Sequence, residues 1–219
     1  MTSYLRSTIR LLALTSCFLV AYVHSQAQIG FQVSSFIPKG DIGQYFNKGT
    51  SIDAYFVIQS DDGKWQYRVG CLYTALSSRI DTVPIYGVRE GGGMPTMVLP
   101  GFLVNRNFSI KCISGEISRR IFDIHGLGLY GGAGFIGGIS HVDYVKEIKT
   151  VITETSSIDT KIAGVKLNAL LQYRINDHFD VFFDASRSLV TSGGNDATSY
   201  THNKFGIGAN YFIFQRERE

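Results

Sequence analysis

The side chains best suited to nucleophilic or metal chemistry in this 219-residue sequence are its five histidines and three cysteines, with the serines and aspartates beside them. Nucleophilic catalysis needs a nucleophile, a base within hydrogen-bond reach and a group that orients the base. Two stretches hold those types: Ser140-His141 with Asp143, and Thr201-His202 with Asp196. Neither has a spacing that the chemistry demands, and loops collect Ser, His and Asp for solubility alone. His125 and His178 sit in turn-like sequence and read as turn or surface residues. No Cys/His cluster has metal-ligand spacing. Gly126-Leu127-Gly128 and Gly131-Gly132-Ala133-Gly134 superficially suggest a phosphate loop, but no helical period follows them. Glycine there is expected to permit close strand approach and sharp curvature. Neither an enzyme nor a cofactor or metal site is expected.

A second set of residues is more telling. Asp53, Arg68, Glu116, Lys166, Gln172, Arg174, Asp184 and Asn210 all fall on the polar face of alternating segments. Arg68 with Glu116, and Arg174 with Asp184, are the expected ion pairs. An unpaired buried charge is costly, so mutual neutralisation is the expected role of this network.

Eight segments carry the alternation: 28–36, 50–59, 64–76, 107–120, 126–140, 161–175, 179–189 and 204–214. In the third, Trp65, Tyr67, Val69, Cys71, Tyr73 and Ala75 share one face, and Gln66, Arg68, Gly70 and Thr74 the other. In the sixth, Ala163, Val165, Leu167, Ala169, Leu171 and Tyr173 oppose Gly164, Lys166, Asn168, Gln172 and Arg174. The seventh sets Val181, Phe183 and Ala185 against Asp180, Asp184 and Ser186. The eighth sets Phe205, Ile207, Ala209, Tyr211 and Ile213 against Gly206, Gly208 and Asn210. The same alternation puts Cys71 and Cys112 on opposite faces, which disfavours a disulfide.

Connections alternate in length. Short ones fall at 60–63, 122–125 and 176–178, with Asp-Gly and Asn-Asp turn chemistry. Long ones run over 37–49, 77–106, 141–160 and 190–203. Short turns at one end and long loops at the other is the transmembrane-barrel layout, and each segment is near the length that crosses the hydrocarbon. Apolar faces outward and polar faces inward invert the pattern of a soluble barrel. The expected fold is therefore all-β: an eight-stranded antiparallel transmembrane β-barrel with short periplasmic turns and long extracellular loops. An interior of that width holds only side chains, which argues against a wide pore. The 77–106 loop carries Ile85, Tyr86, Met94, Met97, Val98 and Leu99 among glycines and prolines, and suits a partner or a fold-back over the mouth. The 145–153 stretch alternates like a strand and is expected to extend the strands flanking it.

The beginning of the chain reads as an export signal. Arg6 and Arg10 precede an apolar run over 11–23, and Ser25-Gln26-Ala27 offers the small-x-small cleavage pattern. The expected division is a signal peptide over 1–27 and a barrel domain over 28–219. Leu14-Thr15-Ser16-Cys17 loosely matches a lipobox, yet apolar residues continue past Cys17, as in an ordinary signal. Without the two arginines, 19 basic residues face 18 acidic ones, too even a balance for a nucleic-acid partner.

Phe36-Ile37-Pro38-Lys39-Gly40-Asp41 resembles the Pro-x-Gly-Asp first-loop opening of Bacteroidota outer-membrane β-barrel proteins. Leu171-Gln172-Tyr173-Arg174-Ile175-Asn176-Asp177-His178-Phe179 is similar to a hairpin of that family, and Gln26-Ala27-Gln28 looks like its cleavage region. The resemblance implies a porin-family barrel of the OmpA or OmpX type in the cell outer membrane. It implies contact with outer-membrane lipid and lipopolysaccharide, and with the barrel-assembly machinery during insertion. A protein partner would come through the loops, which carry a structural or interaction role. PorT-like members of the group are linked to type IX secretion; a secretion role, a narrow pore and a lipid-modifying enzyme are the alternatives. The final Gln215-Arg216-Glu217-Arg218-Glu219 departs from members that end on an aromatic residue.

Overall fold

The alternating segments close into a ring. In chain order the elements are β1 (Ser25–Lys39), α1 (Asp41–Tyr45), β2 (Gly49–Ser60), β3 (Trp65–Ser77), β4 (Thr82–Gly91), β5 (Met94–Ile124), β6 (Leu127–Ile148), β7 (Ile152–Arg174), β8 (Phe179–Ser192) and β9 (Ser199–Phe214). The structure is a computed structural model and describes residues 25–79, 82–91, 94–148, 152–193 and 199–214. Most of the expected signal peptide, Cys17, Asp196 and 215–219 lie outside the described residues. Neighbouring strands pair antiparallel in the order β3-β2-β1-β9-β8-β7-β6-β5, and β3 pairs with β5 to close the ring. The eight strands of the ring thus leave no edge within the wall, the condition for crossing lipid without helices.

The ninth strand corrects one expectation. Residues 82–91 belong to no irregular loop: β4 pairs with β5 from Thr82↔Val104 to Gly91↔Met94, beyond the part of β5 that meets β3. The stretch is rich in Val, Ile and Tyr, residues that favour extended backbone, and glycines stand where the chain reverses. The side chains of 81–106, including the apolar ones expected to bind a partner, lie outside the described residues. Of the 145–153 stretch, residues 145–148 extend β6 and 152–153 extend β7 as expected, with pairing out to Ile148↔Ile152, and 149–151 lie outside the described residues. Above the ring, β4, β5, β6 and β7 therefore form one four-stranded sheet.

At the other end the connections are tight. His125 and Gly126 carry φ of 50° and 83°, so a two-residue turn with both φ positive joins β5 to β6. That places the turn slightly later than 122–125, and its geometry matches the twist of the flanking strands. Asn176 Oδ1 accepts the backbone N–H groups of His178 and Phe179 at 2.8 and 2.9 Å, closing the β7–β8 turn. Ser25 pairs with Ser60 and Ala27 with Phe214, so the described ends of the chain lie at the turn end. β1 begins at Ser25, just ahead of the expected cleavage point.

The outer face marks where lipid would end. On β5 it reads Ile117, Gly115, Ile113 and then Lys111, Ser109; on β7, Leu167, Val165, Ala163 and then Lys161, Asp159. Phe31, Val33, Val69, Phe135, Leu167 and Ile207 are all more than half exposed, far too much apolar surface for water to face. Trp65, Tyr67, Tyr173, Phe179 and Tyr211 ring the turn end, the placement of an interfacial aromatic belt.

Candidate functional site

Among the described residues, the expected site residues converge in the lumen, and the wall builds it in tiers. Nearest the turns, Gln59 Nε2 donates to the Tyr130 hydroxyl at 2.9 Å, and Gln66 Nε2 to Gln172 Oε1 at 3.2 Å. Gln172 in turn donates to Asp180, which also accepts from Arg174 Nε at 3.1 Å. Arg174 and Asp180 are direct register partners on β7 and β8. The expected Arg174–Asp184 pair is therefore corrected: the turn over 175–178 sets the register, and Asp184 lies two inward positions farther up β8, opposite Leu170.

In the next tier Arg68 is sandwiched between two rings. Its guanidinium carbon lies 4.9 Å from the Tyr55 ring centre and 4.8 Å from that of Phe182. Arg68 and Glu116 are register partners, but no ion pair joins them, and Nε and Nη2 of Arg68 have no hydrogen-bond partner. This corrects the second expected pair. Glu116 is taken instead by Lys166 Nζ at 2.6 Å and Asn168 Nδ2 at 3.0 Å.

The reason lies in a residue that has no side chain. Glu116, Gly134 and Lys166 stand in one register row across β5, β6 and β7, and Ser118, Gly132 and Asn168 in the next. Lys166 reaches Glu116 over the gap that Gly134 leaves; a Cβ there would lie 2.9 Å from Glu116 Cγ and 2.3 Å from the Gly115 carbonyl oxygen. A Cβ on Gly132 would come 2.3 Å from Ser118 Oγ and 2.7 Å from Asn168 Oδ1. The glycine run does permit close approach, as expected, and its inward members also open the rows that let charges meet across two strand spacings.

Asp184, fully buried, accepts from Gln32 Nε2 at 3.2 Å and lies 3.9 Å from Lys166 Nζ. Asp53 pairs with Lys204 and accepts from Ser51 Oγ at 2.9 Å. Asn210 is fully buried with neither amide atom bonded, beneath the Arg68 tier. Gln32, Lys204, Asp180 and Tyr55 also belong to the network and, like Gln66 and Asn168, are absent from the expected site residues; inward parity on β1, β9, β8 and β2 is the signal that identifies the four.

Charged residues give way toward the top to a mainly apolar packing, with Thr74, Ser140, Ser188 and His202 buried among it. Phe36, Leu76, Phe108, Ile110, Ile136, Ile162, Val190 and Tyr200 are inward and buried, and Phe46 drops in from beyond α1 to pack on Phe108 at 4.8 Å. Among the described residues an apolar plug thus packs the loop half of the lumen.

In the first candidate nucleophile cluster the structure brings His141 and Asp143 together but turns Ser140 to the other face. Ser140 Oγ points inward and donates to the Thr160 carbonyl at 3.3 Å, while His141 points outward between Asp159 and Asp143, at 2.6 and 3.0 Å. Hydrogen bonding to Asp159, then to Asp143, holds the His141 imidazole above its usual pKa. His202 is buried with its ring stacked on Phe36 at 4.2 Å and Nδ1 unbonded. His125 and His178 are in turns. Cys71 is exposed and Cys112 buried, on opposite faces as the alternation predicts. Among the described residues no group of His, Cys, Asp or Glu is placed to hold a metal ion.

The ring of strands finds counterparts among solved structures. A major outer membrane protein from Thermus thermophilus superposes with a TM-score of 0.53, at 11% identity over 85% of this chain and 99% of that one. The fold is that of the outer-membrane β-barrels. Neisserial surface protein A matches at a TM-score of 0.49, with 13% identity over 84% of this chain and 96% of the other. Ail, the attachment invasion locus protein of Yersinia pestis, matches at 0.43, with 16% identity over 87% and 98%. No protein-family model and no curated protein matches the sequence.

Proposed function

We propose that this chain is a non-enzymatic, non-conducting barrel of the outer membrane that acts through the sheet β4 to β7 raise on the loop side. The observation that carries the reading is the division of the lumen. Ion pairs bridge its turn half and buried apolar side chains pack its loop half, which supports a lumen without room for a water-filled channel. What remains accessible is the raised sheet, whose outer strands β4 and β7 there each pair on one side only among the described residues. An unpaired strand edge is a ready template for another chain. The Phe36-to-Asp41 and Leu171-to-Phe179 resemblances support an origin in Bacteroidota. A PorT-like place in secretion shares that support and draws on no further feature.

Fractionation, gel mobility and conductance of the purified envelope protein, and labelling of intact cells, test the reading. The envelope protein is expected in the outer-membrane fraction, running faster on SDS gels unboiled than boiled, and silent in planar bilayers. Ser157→Cys on β7, above the lipid boundary, is expected to react with a membrane-impermeant maleimide on intact cells. Labelling only after lysis would reverse the barrel's orientation, and steady single-channel conductance would overturn the closed lumen.

A further inference from the structure

We infer that the loop end of the barrel holds a binding site for phosphate esters of a sugar, formed by Lys39, Lys48 and Arg79. A cavity of about 370 Å³ opens there, lined by these three cations together with Pro38, Phe46 and Asn47. The cations come from three separate segments: the end of β1, the stretch before β2, and the stretch after β3. Among the described residues no acidic side chain lines the cavity.

A solvated lysine face would have mobile, unrelated supports, and these supports are tied together. Phe46 is anchored in the apolar plug. Next to it Asn47 N–H donates to the Ser77 carbonyl at 2.9 Å, and Asn47 Nδ2 to the Ser78 carbonyl at 3.1 Å. Arg79 N–H donates to the Tyr45 carbonyl at 2.7 Å, and the Arg79 side chain reaches the Gly43 carbonyl at 3.5 Å. The α1 segment and the end of β3 therefore hold one another, and with them the cations on either side.

The chemistry selects the ligand. A phosphate monoester brings nearly two negative charges and three acceptor oxygens, which suits three donors better than a carboxylate's single charge and two oxygens. Arg79 supplies a planar fork and the lysines point charges, the usual division of labour around phosphate. The cavity is at the small end of ligand pockets, large enough for a monosaccharide-sized ring against Pro38 and Phe46. Two sources carry such groups: phosphosugars of lipid headgroups in the surrounding leaflet, and soluble phosphosugars from the medium.

The site rests on the reading that this end faces outward, and the test separates the two. Inositol hexakisphosphate is titrated calorimetrically into the full-length protein in phosphatidylcholine nanodiscs, where orientation does not matter. The triple variant K39Q/K48Q/R79Q is expected to bind at least tenfold more weakly, and each single variant a few-fold. K111Q/K161Q, which removes two exposed lysines lower on the outer wall, is expected to leave binding unchanged. No binding by the wild type, or equal weakening in both variants, would overturn the site. Nanodiscs containing lipopolysaccharide distinguish the sources: loss of inositol hexakisphosphate binding there, restored with dephosphorylated lipopolysaccharide, assigns the site to the headgroup, and unchanged binding assigns it to soluble phosphosugars. Maleimide labelling of intact cells at position 157 independently reports whether the outward reading fails.

Discussion

The two halves of the lumen are enclosed by the same strands with the same inward parity, yet they are filled by opposite means. The turn half is packed with Gln, Asn, Asp, Glu, Lys and Arg, and most of its charged groups, Lys166 with Glu116 and Arg174 with Asp180 among them, meet a partner at a defined distance. The loop half is packed mainly with Phe, Ile, Leu and Val, which need only volume, with Tyr200 and His202 among them. Burying charge is tolerable where hydrogen bonds and ion pairs are complete, and removing one member leaves the other uncompensated. Removing part of an apolar side chain leaves a cavity that neighbours partly refill. The polar half is thus the specific half and the apolar half the tolerant one.

Lys166→Met has the largest expected effect on the polar half. It leaves Glu116 without its ammonium and Asp184 without its nearest cation. A loss of about 4 kcal/mol is expected from breaking a buried pair on one side, read by urea unfolding in micelles through Trp65, the sole tryptophan. The double variant K166M/E116Q is expected to recover more than half of it. A loss below about 1 kcal/mol would mean that the polar half is no more specific than the plug. Phe108→Ala tests the other side. It removes a ring that packs on Phe46 and should cost about 3 kcal/mol by cavity formation. Because the ion-pair tiers remain beneath, no conductance is expected; channels in F108A alone would show that the plug is the sole seal.

How much of this is legible in the sequence follows the same division. The strands, their faces, the short turns and the opposed cysteines follow from period two and turn chemistry, which are local. Local pattern also brings Arg68 and Glu116 to adjacent strands, and they are register partners. What it does not contain is the row across three strands. Lys166 meets Glu116 only because Gly134 stands between them, so the partner choice depends on register at two interfaces at once. The Arg174–Asp180 pair is closer to hand, since the length of the β7–β8 turn dictates it. The apolar plug escapes a reading by polarity for another reason. A polar inward face is assigned from its charged members, and Leu72, Leu76, Ile162 and Val190 share inward parity with polar residues on their own strands.

Gly134→Ala sharpens the row argument. The new methyl meets the Gly115 carbonyl and Glu116, so overpacking of about 2 kcal/mol is expected. Combined with K166M the two losses should be clearly less than additive, since both disturb one contact. Full additivity would separate the glycine from the ion pair. Arg68→Met is the smaller companion. Arg68 contacts rings rather than a carboxylate, so the loss should be about 1 to 2 kcal/mol, the scale of desolvated cation–π contacts. A loss equal to that of K166M would restore Arg68 as the true partner of Glu116.

The smallest effect lies outside the lumen, where charge is screened and the comparison can be extended to water. His141 bridges β6 and β7 above the lipid boundary, between Asp159 and Asp143. Its pKa is raised in the folded state, chiefly by the hydrogen bond to Asp159. The sign follows from linkage: the stabilisation is complete below the ordinary histidine value near 6.5 and is lost as pH rises through the raised folded value. The raised sheet is therefore expected to hold more tightly at about pH 5.5 than at about pH 8.5. Amide exchange at 142–145 and 155–159, corrected for intrinsic rates, should show a few-fold greater protection at the lower pH, and His141→Gln should abolish the difference. Equal protection in wild type at both values would mean that this exposed bridge, unlike the Lys166–Glu116 pair, contributes nothing, as screening allows for many surface pairs.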